Sequence, residues 1–228
     1  LINNSFEWGN YKGLIGLVDL NTLTYQSEID LGDDGNNPIN LMIKDNKLYT
    51  VNNKNWDGSS VSIIDMNDDY SVQTIELSDV SAGCGVSLIR DNKMNYQKTS
   101  DTEMYIFNLD NLEQEGVEEN LDFNYYAIAE NPINGYLYAA ITNFTSNSGV
   151  MIYDANNNQV NTFFADVLTS KIVFDVRFYN NSDLLESYNN SEIINTIDVL
   201  GRYNNKNNTL IIDLYEDGSS KKKIILNK

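Results

Sequence analysis

One phrase recurs four times in this chain and limits its fold more than any other feature. "GLIGLVDLNTLTYQSEIDL" starts at Gly13, "SSVSIIDMNDDYSVQTIEL" at Ser59, "TEMYIFNLDNLEQEGVEENL" at Thr102 and "SGVMIYDANNNQVNTFFADV" at Ser148. Each copy runs through alternating apolar residues to Asp19, Asp65, Asn108 or Asp154 and then enters a polar turn. The spacings between those four residues are 46, 43 and 46. A second phrase interleaves with the first: "DNKLYTVNN" from Asp45, "DNKMNYQKTS" from Asp91 and "INGYLYAAITN" from Ile133. A period of about 45 residues is the scale of one propeller blade of four strands.

Each period divides into four short strands. In the second copy they read "KLYTVN", "VSIIDM", "SVQTIEL" and "GVSLIRD", rich in Val, Ile, Leu and Tyr and bounded by Asn, Asp, Gly or Ser. No stretch of twelve or more residues has helical periodicity. The residue closing the apolar strand is expected to cap the following turn through its side chain, which is why Asn108 can stand where the other copies have Asp. The copies are expected to begin at the N terminus, Lys47, Lys93 and Gly135. A single blade cannot bury both its faces, so blades stack about an axis. The expected fold is all-β: a β-propeller-like array of about four four-stranded antiparallel blades over residues 1–178, then a small C-terminal β unit over residues 179–228.

Charge and composition exclude several functions. The net charge is −18 over 228 residues. So acidic a chain repels phosphate backbones and anionic lipid, which argues against nucleic acid as a partner. No apolar run approaches the length of a transmembrane helix. There is no histidine, so Ser-His-Asp and Cys-His catalysis and histidine-bearing zinc sites are excluded. Cys84, the single cysteine, has no partner for an internal disulfide and reads as a small buried residue. The start "LINNSFEWGN" lacks Met and a signal peptide, and the chain reads as a processed or trimmed product.

The rhythm "VSIID…TIEL…DNKLY" resembles the YVTN-type, YncE-like β-propellers. The fourth copy, "NGYLYAAITNFTSNSGVMIYDANNNQVNTFFADVLTSKIVF", is similar to the closing blades of a Bacteroidota family of such propellers (the DUF5074 type). The resemblance covers residues 1–175 and implies a secreted or surface protein. It departs in length, since such propellers usually hold about seven blades.

From about Asn180 the period breaks. "TIDVLGRYNNKNNTLIIDLYEDGSSKKKIILNK" resembles the C-terminal sorting domain of type IX secretion cargo. The matching residues are Gly201 and Arg202, then Asp217 and Gly218, then Lys221, Lys222 and Lys223. The residues themselves read as two strands about a tight "EDGS" turn. An edge strand bearing lysines also resists self-pairing, which is the purely structural account of the basic run. The resemblance implies the type IX export machinery as a partner, a destination outside the cell or on the outer-membrane surface, and association with an outer-membrane complex.

Candidate site residues fall in two sets. "IDLGDDGNNP" carries Asp30, Asp33, Asp34 and Asn36, oxygen ligands in a Gly-bearing loop that suit Ca²⁺, although the EF-hand spacing and its terminal Glu are missing. The competing reading is a solvated turn. Trp8, Trp56, Tyr126 and Phe144 lie in inter-strand loops, where aromatic rings suit stacking on a sugar or a protein partner. No cofactor other than Ca²⁺ is indicated. The leading function is a non-catalytic secreted or cell-surface binding protein for a glycan, a small nutrient or another protein. The alternatives are a structural subunit of a surface assembly, and a carboxylate- or Ca²⁺-dependent propeller hydrolase or lyase.

Overall fold

The computed structural model describes residues 1–2, 12–176, 192–198, 210–216 and 220–224. They divide into two compact units, Leu1–Val176 and Arg177–Lys228. In the first unit three four-stranded antiparallel sheets follow one another. β3 (Met42–Lys44), β4 (Lys47–Asn52), β5 (Ser59–Asp65) and β6 (Ser71–Ser78) form one. β7 (Ser87–Arg90), β8 (Lys93–Tyr96), β9 (Tyr105–Asn108) and β10 (Gln114–Val117) form the next. β11 (Ala127–Glu130), β12 (Leu137–Ile141), β13 (Asn147–Tyr153) and β14 (Gln159–Val167) form the third. β1 (Leu14–Asp19) pairs with β2 (Thr24–Asp30), and Ile2 bridges to Leu14, so this partial sheet supplies the later strands of a first blade.

In every sheet, strands adjacent in sequence are adjacent in space. β3, β7 and β11 are edge strands, and β7 lies beside both β3 and β11. Successive sheets therefore converge on their first strands, the arrangement of a propeller-like array about an axis.

The phase of the repeat differs from the expectation by one strand. The sequence pattern puts residues 85–91 at the end of the second copy, whereas β7 opens the next sheet. The turn between β7 and β8 is the reason. Asp91 and Asn92 have φ of 46° and 59°, as Asp45 and Asn46 have 47° and 58° between β3 and β4. Two consecutive left-handed residues make the hairpin turn whose twist matches its strands. Each "DNK" thus welds two strands into one hairpin, and the break between blades falls before it.

The capping residues behave alike in all four copies. Asp19 Oδ1 accepts from the backbone N–H of Asn21 and Thr22, both at 2.8 Å. Asp65 Oδ1 accepts from Asn67 at 2.9 Å, Asn108 Oδ1 from Asp110 at 2.7 Å, and Asp154 Oδ1 from Asn156 at 2.8 Å and Asn158 at 2.9 Å. All four close the third strand of a blade and start the turn into its fourth.

The core lies between sheets. Ile15, Ile29, Leu31 and Ile64 pack where the first blade meets the second. Val51, Val61 and Ile63 meet Met94, Tyr96 and Phe107 across the next interface. Leu88, Met104 and Tyr125 meet Leu137, Met151 and Tyr153 across the third. There the Tyr125 and Tyr153 hydroxyls hydrogen-bond at 2.8 Å, with rings edge-to-face at 6.3 Å. The far face of the last sheet holds Ala127, Ala140 and Val150, and Ile172 packs on them from the strandless segment after β14.

Polar clamps cross the same interfaces. Arg90, at the end of β7, donates to Asn157 Oδ1 at 2.8 Å, to the Ala155 carbonyl at 2.9 Å and to the Gly135 carbonyl at 3.3 Å. Asn157 in turn donates to Glu118 at 3.1 Å, and Asn95 donates to the other Glu118 oxygen at 2.8 Å. Within the second blade Asn52 donates to both Ser60 and Ser62 at 2.9 Å, and Ser60 donates to the Asp34 carbonyl, in the link from the first blade, at 2.5 Å.

In the second unit β15 (Ile193–Asp198), β16 (Leu210–Tyr215) and β17 (Ser220–Ile224) form a three-stranded antiparallel sheet. Buried Asp213 accepts from Thr196 Oγ1 at 2.8 Å. Lys221, Lys222 and Lys223 fall on β17 opposite Asp213, Ile212 and Ile211. Gly201, Arg202, Asp217 and Gly218 lie outside the described residues.

Candidate functional site at the axial end of the blades

In an up-and-down sheet the start of the first strand, the end of the second, the start of the third and the end of the fourth share one end. The connections between blades and the loops between second and third strands therefore lie together at that end. A cavity of about 310 Å³ opens there. Its walls come from residues 39–40, 84–87, 126–128 and 170–172, the stretches that lead into β3, β7 and β11 and the segment after β14. Three successive blades thus give the same local stretch to one hole, and the segment after the last of them closes it.

The sequence around Cys84 explains how the chain approaches so closely. A Cβ on Gly83 would stand 2.3 Å from Thr99 Oγ1, and φ is +58° there. A Cβ on Gly85 would stand 2.8 Å from the Ala82 carbonyl oxygen and 2.9 Å from that of Gln97. "AGCG" therefore lets the linker fold tightly over the loop after β8. Amide side chains hold these linkers down. Asn53 donates to the Gly83 carbonyl at 2.9 Å, and Ser81 donates back to the Asn53 carbonyl at 3.0 Å. Gln97 donates to the Phe123 carbonyl at 2.8 Å and accepts from the Tyr125 N–H at 3.0 Å. Cys84 itself is exposed on the cavity lining rather than buried as its sequence context suggested. The linker passes over the end of the sheets, so its middle residue faces outward.

Of the aromatic candidates, Tyr126 lines the cavity. Its ring meets that of Phe144 edge-to-face at 5.2 Å, so Phe144, 60% exposed, buttresses the wall from outside. Trp56 sits on the one-turn 3-10 segment Lys54–Trp56, also 60% exposed, with its ring edge over Gly83 next to Cys84. The structure brings Tyr126 and Phe144 together and leaves Trp56 on the rim of the neighbouring linker. Trp8 lies outside the described residues. Sequence reasoning missed Cys84, Ser170 and Lys171 as wall residues; their only signal was their place at corresponding points of the repeat.

The oxygen-rich loop is arranged differently. Asp30 accepts from Lys12 at 2.7 Å and from the Gly32 N–H at 2.9 Å, and these bonds, Lys12 first, hold its carboxyl below the usual range. Lys54 bonds Glu76 and reaches Asp34 at 3.4 Å; the bond to Glu76 is the main cause of its raised pKa. Asn36 donates its amide to the Asp33 carbonyl at 2.6 Å. Among the described residues no group of three or more Asp, Glu, Cys or His converges to hold a metal. Asp30 and Asp34 thus pair with lysines, and Asn36 folds the loop back onto Asp33.

No family model matches the chain, and no curated protein matches it. Solved structures do resemble it. Hydrazine synthase of Kuenenia stuttgartiensis aligns with a TM-score of 0.50 at 14% identity, over 89% of this chain and 49% of that one. Hsv2 of Kluyveromyces lactis aligns at 0.43 and 10% identity, over 94% and 56%. A catalytically inactive virginiamycin B lyase from Staphylococcus aureus with quinupristin aligns at 0.41 and 16% identity, over 93% and 60%. The chain thus spans about half the length of the first of these. At such identity the likeness concerns the fold alone.

Proposed function

We propose that this chain is a non-catalytic, propeller-type binding protein that holds a small ligand at the axial end of its blades, and that it works outside the cell. The observation supporting ligand binding is the cavity walled by three successive blades and the segment after β14, with Tyr126 on its lining and Phe144 against that ring. Ligand sites are concave and combine apolar side chains with a few polar groups, and this lining offers both. The absence of histidine from the whole chain favours binding over hydrolysis. Trp56 and Phe144 offer exposed rings beside the cavity for a glycan or protein surface. Export rests on the resemblance of the C-terminal residues to type IX sorting domains.

Cys84 makes the ligand reading directly testable. It is the only thiol and lies on the cavity lining. Its alkylation by a small maleimide should slow when the cavity is filled. A panel of monosaccharides, amino acids and small carboxylates is screened for that protection, with Tyr126→Ala as control. Protection by a panel member, lost in Tyr126→Ala, supports the reading; unchanged alkylation across the panel refutes it. For export, deletion of residues 180–228 in the native host should leave a folded propeller in the periplasm. Normal surface delivery of the truncated chain would remove the sorting role.

A further inference from the structure

Lys171 differs from the other described cations of this unit. Lys12, Lys44, Lys47, Lys54, Arg90 and Lys93 each lie within ion-pair distance of a carboxylate. Lys98 sits over the Tyr105 ring at 3.8 Å. Lys171 alone among the described cations of this unit has neither kind of partner, and it stands on the cavity lining. In a chain with 33 acidic and 15 basic residues, a cation left without a carboxylate is against the odds of its surroundings. None of the residues lining the cavity is Asp or Glu.

Two hydroxyls stand with it. Tyr126 and Ser170 line the same space, and neither hydroxyl has a hydrogen-bond partner among the described residues. By contrast the Asn40 amide already donates to Ser87, and Ser87 donates to the Met42 sulfur at 3.7 Å. Ile39, Val86, Ala127, Ile128 and Ile172 add apolar side chains to the wall. The lining residues with free polar groups are thus a lysine and two hydroxyl residues, set beside apolar side chains, the chemistry that recognises a carboxylate on a partly apolar body. The net charge of −18 opposes any anion at long range, but at physiological salt it is screened over about 8 Å, whereas a carboxylate seated in the cavity meets Lys171 directly.

We propose that the cavity binds a small organic monocarboxylate, its carboxylate on Lys171 and its apolar part against Ile128, Val86 and the Tyr126 ring. This deepens the binding function proposed above and rests on it.

The test compares benzoate and N-acetyl-leucine with their neutral carboxamides, on the full chain, by calorimetry and by protection of Cys84 from alkylation. At least one acid should bind with a Kd below about 10 mM, roughly tenfold more tightly than its amide. Lys171→Gln should abolish that preference, while Lys171→Arg, which keeps the charge, should retain most of it. Lys171 is exposed, so neither variant threatens the fold. Acid and amide binding equally, with Cys84 protected by both, would overturn the carboxylate preference and leave the binding pocket standing. Binding of neither compound, with Cys84 unprotected, would overturn this proposal, and failure of the wider panel would be needed to overturn the binding function as well. An acid preference that survives Lys171→Gln would also refute the assignment.

Discussion

Replacing Arg90 by Met tests the clamp between the third and fourth blades. The guanidinium makes two short hydrogen bonds, to Asn157 and Ala155, and a longer one to Gly135. Its side chain is only 11% exposed. Hydrogen bonds from a charged donor are worth about 1.5–3 kcal/mol each, but the acceptors sit on hairpins that water can reach once the clamp is gone, so the lower end applies. Met keeps the apolar stem packed. The expected loss is about 2–4 kcal/mol, or roughly 4–16 °C in Tm for a domain of this size. A second effect gives the loss a pH dependence. Glu130 is raised above its ordinary pKa, first by burial, while Arg90, 4.0 Å away, pulls it back down. A carboxyl raised by folding costs stability when ionised, and the cost disappears below its unfolded pKa of about 4.3. Removing Arg90 raises Glu130 further. Arg90→Met should therefore destabilise more at pH 7 than at pH 4, measured by urea denaturation at both. Hydrogen exchange should rise in the hairpins at 131–136 and 154–158. A loss under about 1 kcal/mol that is equal at both pH values would refute the clamp.

Three other outcomes follow from the geometry. Tyr153→Phe leaves the buried Tyr125 hydroxyl without its 2.8 Å partner and should cost about 1–2 kcal/mol, while the double variant with Tyr125→Phe should cost less than the sum of the two singles in a denaturation cycle. Asp154 is held below its ordinary pKa, first by the Asn158 N–H, so its contribution to stability is present above the unfolded pKa of about 3.9 and is lost as pH falls through the lower folded value. Asp154→Asn keeps the turn, as Asn108 does in the third blade, and should flatten the fall of Tm below about pH 4; an unchanged acid profile would show that the ionised form contributes nothing. With Asp30 and Asp34 engaged by lysines, EGTA should leave Tm unchanged in the native chain and in Asp33→Ala, and a Ca²⁺-dependent rise in Tm would reinstate the metal site.

How much of this was legible in the sequence depends on how far each interaction reaches along the chain. The period, the all-β character and the caps at Asp19, Asp65, Asn108 and Asp154 rest on contacts within four residues, so the residues themselves specify them. The hairpin turns at Asp45–Asn46 and Asp91–Asn92 are equally local, but periodicity fixes a repeat length and leaves its starting point free, so blade phase does not follow from it. The pairing of Asp30 with Lys12, 18 residues away, and of Asp34 with Lys54, 20 residues away, could not be read from the acidic string itself. Arg90 finds its partners 45 to 67 residues on. The cavity is the extreme case. Cys84, Tyr126 and Lys171 are each unremarkable in their own segment, and they face one space only because stacked blades bring corresponding positions to a common axis. Local sequence therefore determined the blade and its turns. The stacking of blades decided which carboxylates were already taken, which lysine stayed free and where a ligand could sit, because those depend on neighbours that the chain meets only after a whole period has folded.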